Sequence, residues 1–172
     1  MPILKSKQFI LRPFQKGDEK SLAKNINNKK IHRNTLDIPY PYTLKDAKEW
    51  INKNLKETKK KKPSMINFVI DINGEVAGSV GFSNIKEHKA EIGYWLAEKY
   101  WGKGIMSEAV KLVTKFGFNK LKLKRIYAYV FPFNKASMRV LEKNGYKLEG
   151  VLRKNVKKGT KFLDDYLFAK IK

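Results

Sequence analysis

The sequence lacks cysteine and long apolar runs, and for so basic a chain it has little arginine. Without cysteine there are no disulfide bonds or thiolate nucleophiles, and a structural zinc site is disfavoured. No stretch approaches the roughly 18–20 apolar residues of a membrane-spanning helix, and the first ten residues have no signal-peptide core. These absences predict a cytoplasmic protein without a membrane segment or a metal site.

The formal net charge is +22, yet only five of the 38 basic residues are arginine. Guanidinium groups are the preferred donors for bidentate contacts to phosphates and bases, so their scarcity argues against specific nucleic-acid binding. Lysine spread through nearly every segment is typical of a compositional bias with a solvated surface. The alternative is steering toward an acidic partner, such as a ribosome or an anionic cofactor.

A chain of 172 residues, 42% hydrophobic and 31% charged, predicts one folded domain over residues 1–172. Its patterning has no repeat and no linker, and it predicts about seven strands and four helices. The strands are expected at 3–13, 65–72, 76–85, 91–96, 125–130, 146–149 and 162–171, and the helices at 21–26, 43–55, 105–116 and 134–144. This order predicts an α/β (α+β) fold with a mixed, mostly antiparallel sheet.

Residues 91–118, EIGYWLAEKYWGKGIMSEAVKLVTKFGF, organise the chain. A strand at 91–96 is followed by Gly102 and Gly104, which permit a tight turn and close approach of a ligand. A helix with one apolar stripe follows at once. Free N–H groups at the start of that helix suit a phosphate, although a plain turn is the alternative. The spacing matches neither the dinucleotide fingerprint nor a P-loop.

The stretch EIGYWL…YWGKGIMSEA, followed by VFPFNKASMRVLEKNGYKLEG, resembles the GNAT superfamily of acetyl-CoA-dependent N-acetyltransferases. LRPFQKGD near the start and GVLRKNVKKGTKFLDDYLFAKI at the end are similar to its RimJ/RimL-like branch, which acetylates protein N-termini, including those of ribosomal proteins. The resemblance covers essentially the whole chain. Lys99 stands where the family's pyrophosphate loop commonly begins with Gln or Arg. Since that loop works largely through backbone N–H groups, we expect little consequence.

The resemblance implies helices on both faces of the sheet and central strands, 91–96 and 125–130, that splay apart to admit the pantetheine arm of acetyl-CoA. Backbone groups of Tyr94, Trp95 and Leu96 would pair with that arm as a further strand would. The pyrophosphate would lie on the glycine turn and helix start, formed by Trp101, Gly102, Lys103, Gly104, Ile105 and Met106.

By the same resemblance, Asn134 would bond the cofactor and Arg139 would meet its phosphate end. The alternatives are that Asn134 only caps its helix and that Arg139 is a surface charge.

The implied reaction needs a neutral amine and a stabilised oxyanion and thiolate, but no covalent nucleophile. Glu91 is the candidate general base, acting directly or through a water. Ser137 is the candidate donor to the departing sulfur, in the place where many relatives have tyrosine. The alternative for Glu91 is a strand-edge carboxylate paired with a lysine. The alternative for Ser137 is an ordinary residue of the first helical turn.

A free α-amine titrates near ~7.7–8.0 and a lysine amine near ~10.4, so a peptide N-terminus is the easier acceptor to deprotonate. Polyamines and other small amines stay open. Asp37, Tyr40 and Tyr42 are the candidate acceptor-binding residues, because Pro39 and Pro41 extend the segment 29–42 that carries them. Together with Glu91 they would form a local negative cleft in a basic protein, unless the segment is an inert connector.

Two other function classes remain open. A non-catalytic acyl-CoA sensor would keep the glycine turn but would not need Glu91 and Ser137. An RNA-binding protein would need exposed aromatic residues among arginines, whereas Trp50 and Trp95 fall on apolar faces. An acetyltransferase is therefore the favoured prediction. The sequence does not distinguish a monomer from a homodimer.

Overall fold

The computed structural model describes residues 1–172 as an eight-stranded sheet with five helices. The elements in chain order are β1 (Leu4–Lys5), β2 (Ile10–Pro13), α1 (Glu19–Ile26), α2 (Lys29–Asn34), α3 (Leu44–Glu57), β3 (Ile66–Ile72), β4 (Glu75–Lys86), β5 (Lys89–Leu96), α4 (Ile105–Asn119), β6 (Arg125–Val130), α5 (Lys135–Lys143), β7 (Lys147–Lys158) and β8 (Lys161–Ile171). A 3₁₀ turn at Glu98–Tyr100 follows β5. None of the helices combines the length and the apolar character needed to cross a bilayer.

The strand order is β1-β2-β3-β4-β5-β6-β8-β7, and every neighbouring pair is antiparallel except β5 and β6. The predicted mixed, mostly antiparallel α/β fold is therefore confirmed. The strand count is eight because the predicted first strand bends at residues 6–9, where Ser6 N donates to Phe9 O, and becomes β1 and β2. The strand expected at 146–149 is also longer and runs to Lys158.

The fifth helix, α2, occupies the first half of the segment 29–42 that was expected to be a loop. Asn28 caps it, because the Asn28 side-chain oxygen accepts from Lys30 N at 2.8 Å and Ile31 N at 3.3 Å. Ile31 is buried and anchors the helix in the core. The loop prediction was wrong there because a two-turn helix has too few residues to show a periodicity.

Helices cover both faces of the sheet. One core cluster joins the sheet to α4 and α5 and includes Phe82, Ile126 and Leu141. The second cluster lies on the side of α1 and α3 and includes Leu22 and Ile51. Because side chains alternate along a strand, one strand can contribute to both clusters.

Glycine inside a strand indicates close packing or a bulge, and β4 contains two, Gly78 and Gly81. Both are closely packed. A Cβ on Gly81 would lie 2.3 Å from the Ile66 carbonyl oxygen, and one on Gly78 would lie 2.5 Å from the Trp95 carbonyl oxygen. Gly93, the β5 partner of Gly81 in the register, has no atom within 4 Å of an added Cβ. Two paired glycines therefore have opposite surroundings.

Gly81→Ala is expected to lower the free energy of unfolding by about 1–3 kcal/mol, because backbone atoms must move to admit the methyl group. Gly93→Ala is the matched control and is expected to leave stability unchanged or slightly raised, since its space is open. Urea unfolding of both variants measures the difference. Equal losses in the two variants would contradict this account of the packing.

Candidate active site

The site begins where β5 and β6 separate. These parallel strands pair at only three positions, Lys89 with Arg125, Ala90 with Ile126 and Glu91 with Tyr127. Beyond them β5 stays paired only with β4, and β6 only with β8. The predicted splay is confirmed, and it leaves one edge of β5 without a strand partner up to Leu96.

A cleft of about 1070 Å³ opens at this wedge. It brings together fourteen of the sixteen residues that the sequence predicted for the site, namely Asp37, Tyr42, Glu91, Tyr94, Trp95, Leu96, Trp101, Gly102, Gly104, Ile105, Met106, Asn134, Ser137 and Arg139. Tyr40 and Lys103 do not line it. Tyr40 is 42% exposed and packs near His32, and the Lys103 ammonium lies 5.6 Å from the centre of the Tyr100 ring.

The turn before α4 has the geometry that a pyrophosphate needs. Gly102 and Gly104 have φ of 75° and 77°, in the left-handed region that favours glycine, and neither has an atom within 4 Å of an added Cβ. Gly104 is the N-cap of α4, and no side chain caps the helix. The first N–H groups of α4 therefore have no side-chain partner and can bind an anion. The residues present thus fit the phosphates of acetyl-CoA.

Trp101, Tyr94 and Ser137 line the part of the cleft next to the turn at 102–106, which is called the cofactor half below because the cofactor is expected there. The Trp101 indole Nε1 donates to the Leu96 carbonyl oxygen at 2.7 Å. The Tyr94 hydroxyl lies 2.9 Å from Ser137 Oγ, so this hydroxyl pair joins β5 to α5 across the wedge. Burial raises the pKa of Tyr94, which keeps its hydroxyl protonated and able to donate. The sequence identified Tyr94 only by its backbone, and its side-chain role was missed.

Asn134 uses both of its side-chain polar atoms within the protein. Its oxygen accepts from Ser137 N at 3.1 Å and caps α5, and its Nδ2 donates to Asn34 O at 3.4 Å. The capping alternative therefore describes this structure, and the contact to a cofactor stays a prediction. Arg139 is exposed on α5 and takes part in no ion pair.

Glu91 lies at the last position where β5 pairs with β6, so it marks the fork of the wedge. Asn84 Nδ2 donates to its Oε2 at 2.9 Å, and no lysine or arginine pairs with it. Burial raises the pKa of Glu91, the Asn84 bond opposes this shift, and the charges of Asp37 and Asp165 add to it. A carboxylate with a raised pKa in a cleft is suited to accept a proton.

Asp165 is a site residue that the sequence analysis missed. It is only 3% exposed, lines the cleft, and receives a hydrogen bond from Asn155 Nδ2 at 3.0 Å. Burial is the main cause that raises the pKa of Asp165. A signal was present, since adjacent acids at 164 and 165 within a predicted strand must point to opposite faces.

The cleft is lined by three basic side chains from helices and by three carboxylates from other parts of the chain. Arg139 and Lys143 lie on α5, and Lys53 lies on α3, 5.8 Å from the centre of the Trp50 ring. The lining carboxylates are Asp37, Glu91 and Asp165, and none of them is in an ion pair. The cleft therefore contains three carboxylates without ion pairs and three cationic side chains, and the local negative site expected from the sequence stays a prediction.

Tyr42 is also part of this lining but is a buried core residue and not an exposed tip. Burial, aided by the charge of Asp46, raises the pKa of Tyr42 to about 12. Its backbone N–H donates to Asn27 Oδ1 at 2.9 Å, which fixes the end of the segment 29–42. Tyr42 therefore shapes the cleft wall.

Comparison with known proteins agrees with this geometry. Residues 8–147 match the acetyltransferase (GNAT) domain. The chain is 35% identical to the probable N-acetyltransferase YjcK of Bacillus subtilis, over 90% of this chain and 89% of that protein. It is 27% identical to the spermidine N(1)-acetyltransferase of Escherichia coli, over 83% and 74%. The ribosomal-protein-S5-alanine acetyltransferase of Vibrio fischeri superimposes with a TM-score of 0.86 at 25% identity, over 99% and 97%.

Gly104→Val is expected to weaken coenzyme A binding by about tenfold or more, because a branched side chain at the α4 N-cap would occupy the space of the pyrophosphate. Gly74→Val is the matched control, since Gly74 has a similar φ of 81° and open space but lies outside the cleft. Both variants carry a similar backbone strain. Calorimetric titration with coenzyme A measures the affinity, and wild-type affinity in folded Gly104→Val would rule out this seat.

Proposed function

The chain belongs to the GNAT acetyltransferase family and is an acetyl-CoA-dependent N-acetyltransferase, and from that premise we propose that its acceptor is the α-amine of a peptide N-terminus. The observation that carries the proposal is the unpaired Glu91 at the fork of β5 and β6. An amine that reaches the fork meets a carboxylate that no cation of the protein neutralises.

Glu91 is the general base of this proposal. An α-amine is mostly protonated below its pKa of ~7.7–8.0, so a proton must leave before the nitrogen attacks the thioester carbonyl. The pKa of Glu91 is raised and is therefore closer to the pKa of the amine, which favours transfer of the proton from the amine to Glu91. A lysine amine, near ~10.4, would hold its proton more tightly.

Ser137 and Tyr94 serve the leaving group. Their hydroxyls are 2.9 Å apart on the side of β5 that faces α5, so one hydroxyl can donate to the departing sulfur while the other donates to it. Such a donor stabilises the developing thiolate without a covalent intermediate. The acceptor amine and the thiolate are thus served from different faces of β5.

The part of the cleft around Asp37, Glu91 and Gly93, called the acceptor half below, has room for the chain that follows an α-amine. Gly93, next but one to Glu91, leaves open space where a side chain would project. The charge of +22 outside the cleft would draw the enzyme toward an acidic assembly such as a ribosome. The ribosomal-protein acetyltransferase of Vibrio fischeri is consistent with this class of acceptor.

A small polyamine is the second candidate. A peptide N-terminus brings one positive charge, which Glu91 alone can balance. Asp37 and Asp165 also lack ion-pair partners, and they suit the second positive charge of a polyamine. The spermidine acetyltransferase of Escherichia coli is consistent with this alternative.

An acceptor panel is expected to favour peptides that begin with Ala or Ser over spermidine and free lysine, measured as kcat/KM for acetyl transfer at pH 7.5. The reason is the lower pKa of the α-amine. Faster turnover of spermidine than of every peptide would replace the peptide acceptor with the polyamine and keep the acetyltransferase.

Glu91→Gln in the same assay tests the base. The variant is expected to lose about 10²–10⁴-fold in kcat/KM near pH 6–7, and the deficit should shrink near pH 9, where the free amine is abundant. The wild-type rate should fall on the acid side as both the amine and Glu91 become protonated, whereas the variant should keep only the dependence due to the amine. Equal rates across the series would remove Glu91 as the base.

Asp165→Asn is expected to raise the melting temperature at pH 7.5. The folded-state pKa of Asp165 is raised, so its ionised form lowers stability above that pKa, and the gain from the variant should shrink as the pH falls toward ~4.

The same variant, Asp165→Asn, is expected to raise the KM for the amine acceptor about threefold to fivefold, which corresponds to roughly 0.6–1 kcal/mol. Asp164→Asn is the control, since Asp164 lies outside the cleft lining. A loss of stability in Asp165→Asn would show a structural carboxylate instead.

A further inference from the structure

The carbonyl groups at the C-terminal end of α2 are held by side chains from the far end of the chain. The Lys158 ammonium donates to the carbonyl oxygens of His32 and Thr35 and, at 3.3 Å, to that of Arg33. Asn134 Nδ2 donates to the remaining carbonyl oxygen, that of Asn34. Two side chains thereby bind four successive carbonyls at this helix end, of which the His32 carbonyl also accepts the Thr35 N–H at 3.3 Å.

These contacts join the two sides of the wedge. Helix α2 precedes β5 in the chain, whereas Lys158 ends β7 and Asn134 precedes α5, both after β6. Aromatic rings fill the same junction, since the Lys158 ammonium lies 5.6 Å from the centre of the Phe131 ring and the Arg33 guanidinium 5.3 Å from that of Phe133. The backbone hydrogen bonds between β5 and β6 end at Glu91, so side chains provide this connection.

The segment that follows α2, residues 35–42, forms one wall of the acceptor half. Asp37 and Tyr42 line the cleft from this segment. His32 Nδ1 lies 2.6 Å from the Ile38 carbonyl oxygen, and Asn27 receives the Tyr42 N–H. The segment is therefore fixed at its end by Asn27, and at its start by Lys158 and Asn134.

Lys158 has an uncommon environment for a lysine in this chain. It is half-buried, no carboxylate lies within ion-pair distance, and its donors go to backbone carbonyls. Burial lowers the pKa of Lys158, and the charge of Asp37 offsets part of that shift. A buried ammonium requires several hydrogen-bond acceptors, and the end of α2 supplies three.

We propose that Lys158 is a positioning residue for the amine acceptor, which holds residues 35–42 against the cleft by binding the C-terminal carbonyls of α2. Loss of its ammonium frees those carbonyls and lets Asp37 move away from Glu91. The cofactor half does not depend on this contact, because the turn at 102–106 and the Tyr94–Ser137 pair lie elsewhere in the cleft. The inference rests on the proposed function in one respect, that an amine enters this half.

Lys158→Met is the test variant, since it keeps the length of the side chain and removes the donors. The KM for the acceptor, either a peptide beginning with Ala or Ser or spermidine, is expected to rise about tenfold, as for one lost charge-assisted hydrogen bond. The KM for acetyl-CoA should stay within about twofold of wild type. Hydrogen exchange should accelerate at residues 35–42 and stay unchanged in β3 and β4.

Two controls separate positioning from general effects. Lys157→Met makes the same change of charge one residue away, on an exposed side chain that touches none of the α2 carbonyls, and should keep wild-type kinetics. Lys158→Arg retains a cationic donor and should restore most of the acceptor KM.

The outcomes keep the two hypotheses apart. A parallel rise of both KM values in Lys158→Met, or unchanged hydrogen exchange at residues 35–42, would overturn the positioning role. A wild-type enzyme that acetylates neither acceptor would overturn the proposed function, and the exchange measurement would still decide the role of Lys158.

Discussion

The structure depends on one interruption of backbone pairing, the end of the hydrogen bonds between β5 and β6 after Glu91. A continuous sheet would leave no entrance between its central strands. Because the two strands separate, β5 offers a free edge to an extended ligand, and Glu91 lies at the point where that ligand must end. The glycine turn and α4 then follow at the open end of β5, so the proposed phosphate site and the proposed base lie toward opposite ends of one strand.

Electrostatics divides the same cleft. The basic residues of α5 suit the phosphates of the cofactor, whereas Glu91 and Asp165 suit a cation. Leaving these carboxylates without ion-pair partners costs stability when they are ionised, as their raised pKa values indicate. The acetyltransferase activity of the family gives that cost a reason, since an amine acceptor supplies the missing positive charge.

Local patterns made much of the fold predictable. The strand, glycine turn and helix of residues 91–118 each have a strong sequence signature, and so does the Asn73-Gly74 turn between β3 and β4. The short α2 was missed because its helical character depends on the Asn28 cap and on burial of Ile31. Lys158 could not be assigned from sequence, because its partners depend on how the β7–β8 hairpin meets α2. For Asp165, the pair of adjacent acids indicated that one of them faces inward, but not that it lines the cleft.

The alternation of side chains along β5 makes the site sensitive to the length of this strand. Trp95 packs with the cluster on the α3 side, while Ile92 and Tyr94 pack with the cluster on the α4 side, and Glu91 belongs to the first set. Inserting or deleting a single residue between Glu91 and Tyr94 would place both side chains on the same face of the sheet, so that they could no longer act from opposite sides of β5. A change in the length of this strand would therefore disturb both faces at once, whereas a substitution at the exposed Asp37 would alter one wall of the cleft and leave the pairing of β5 intact.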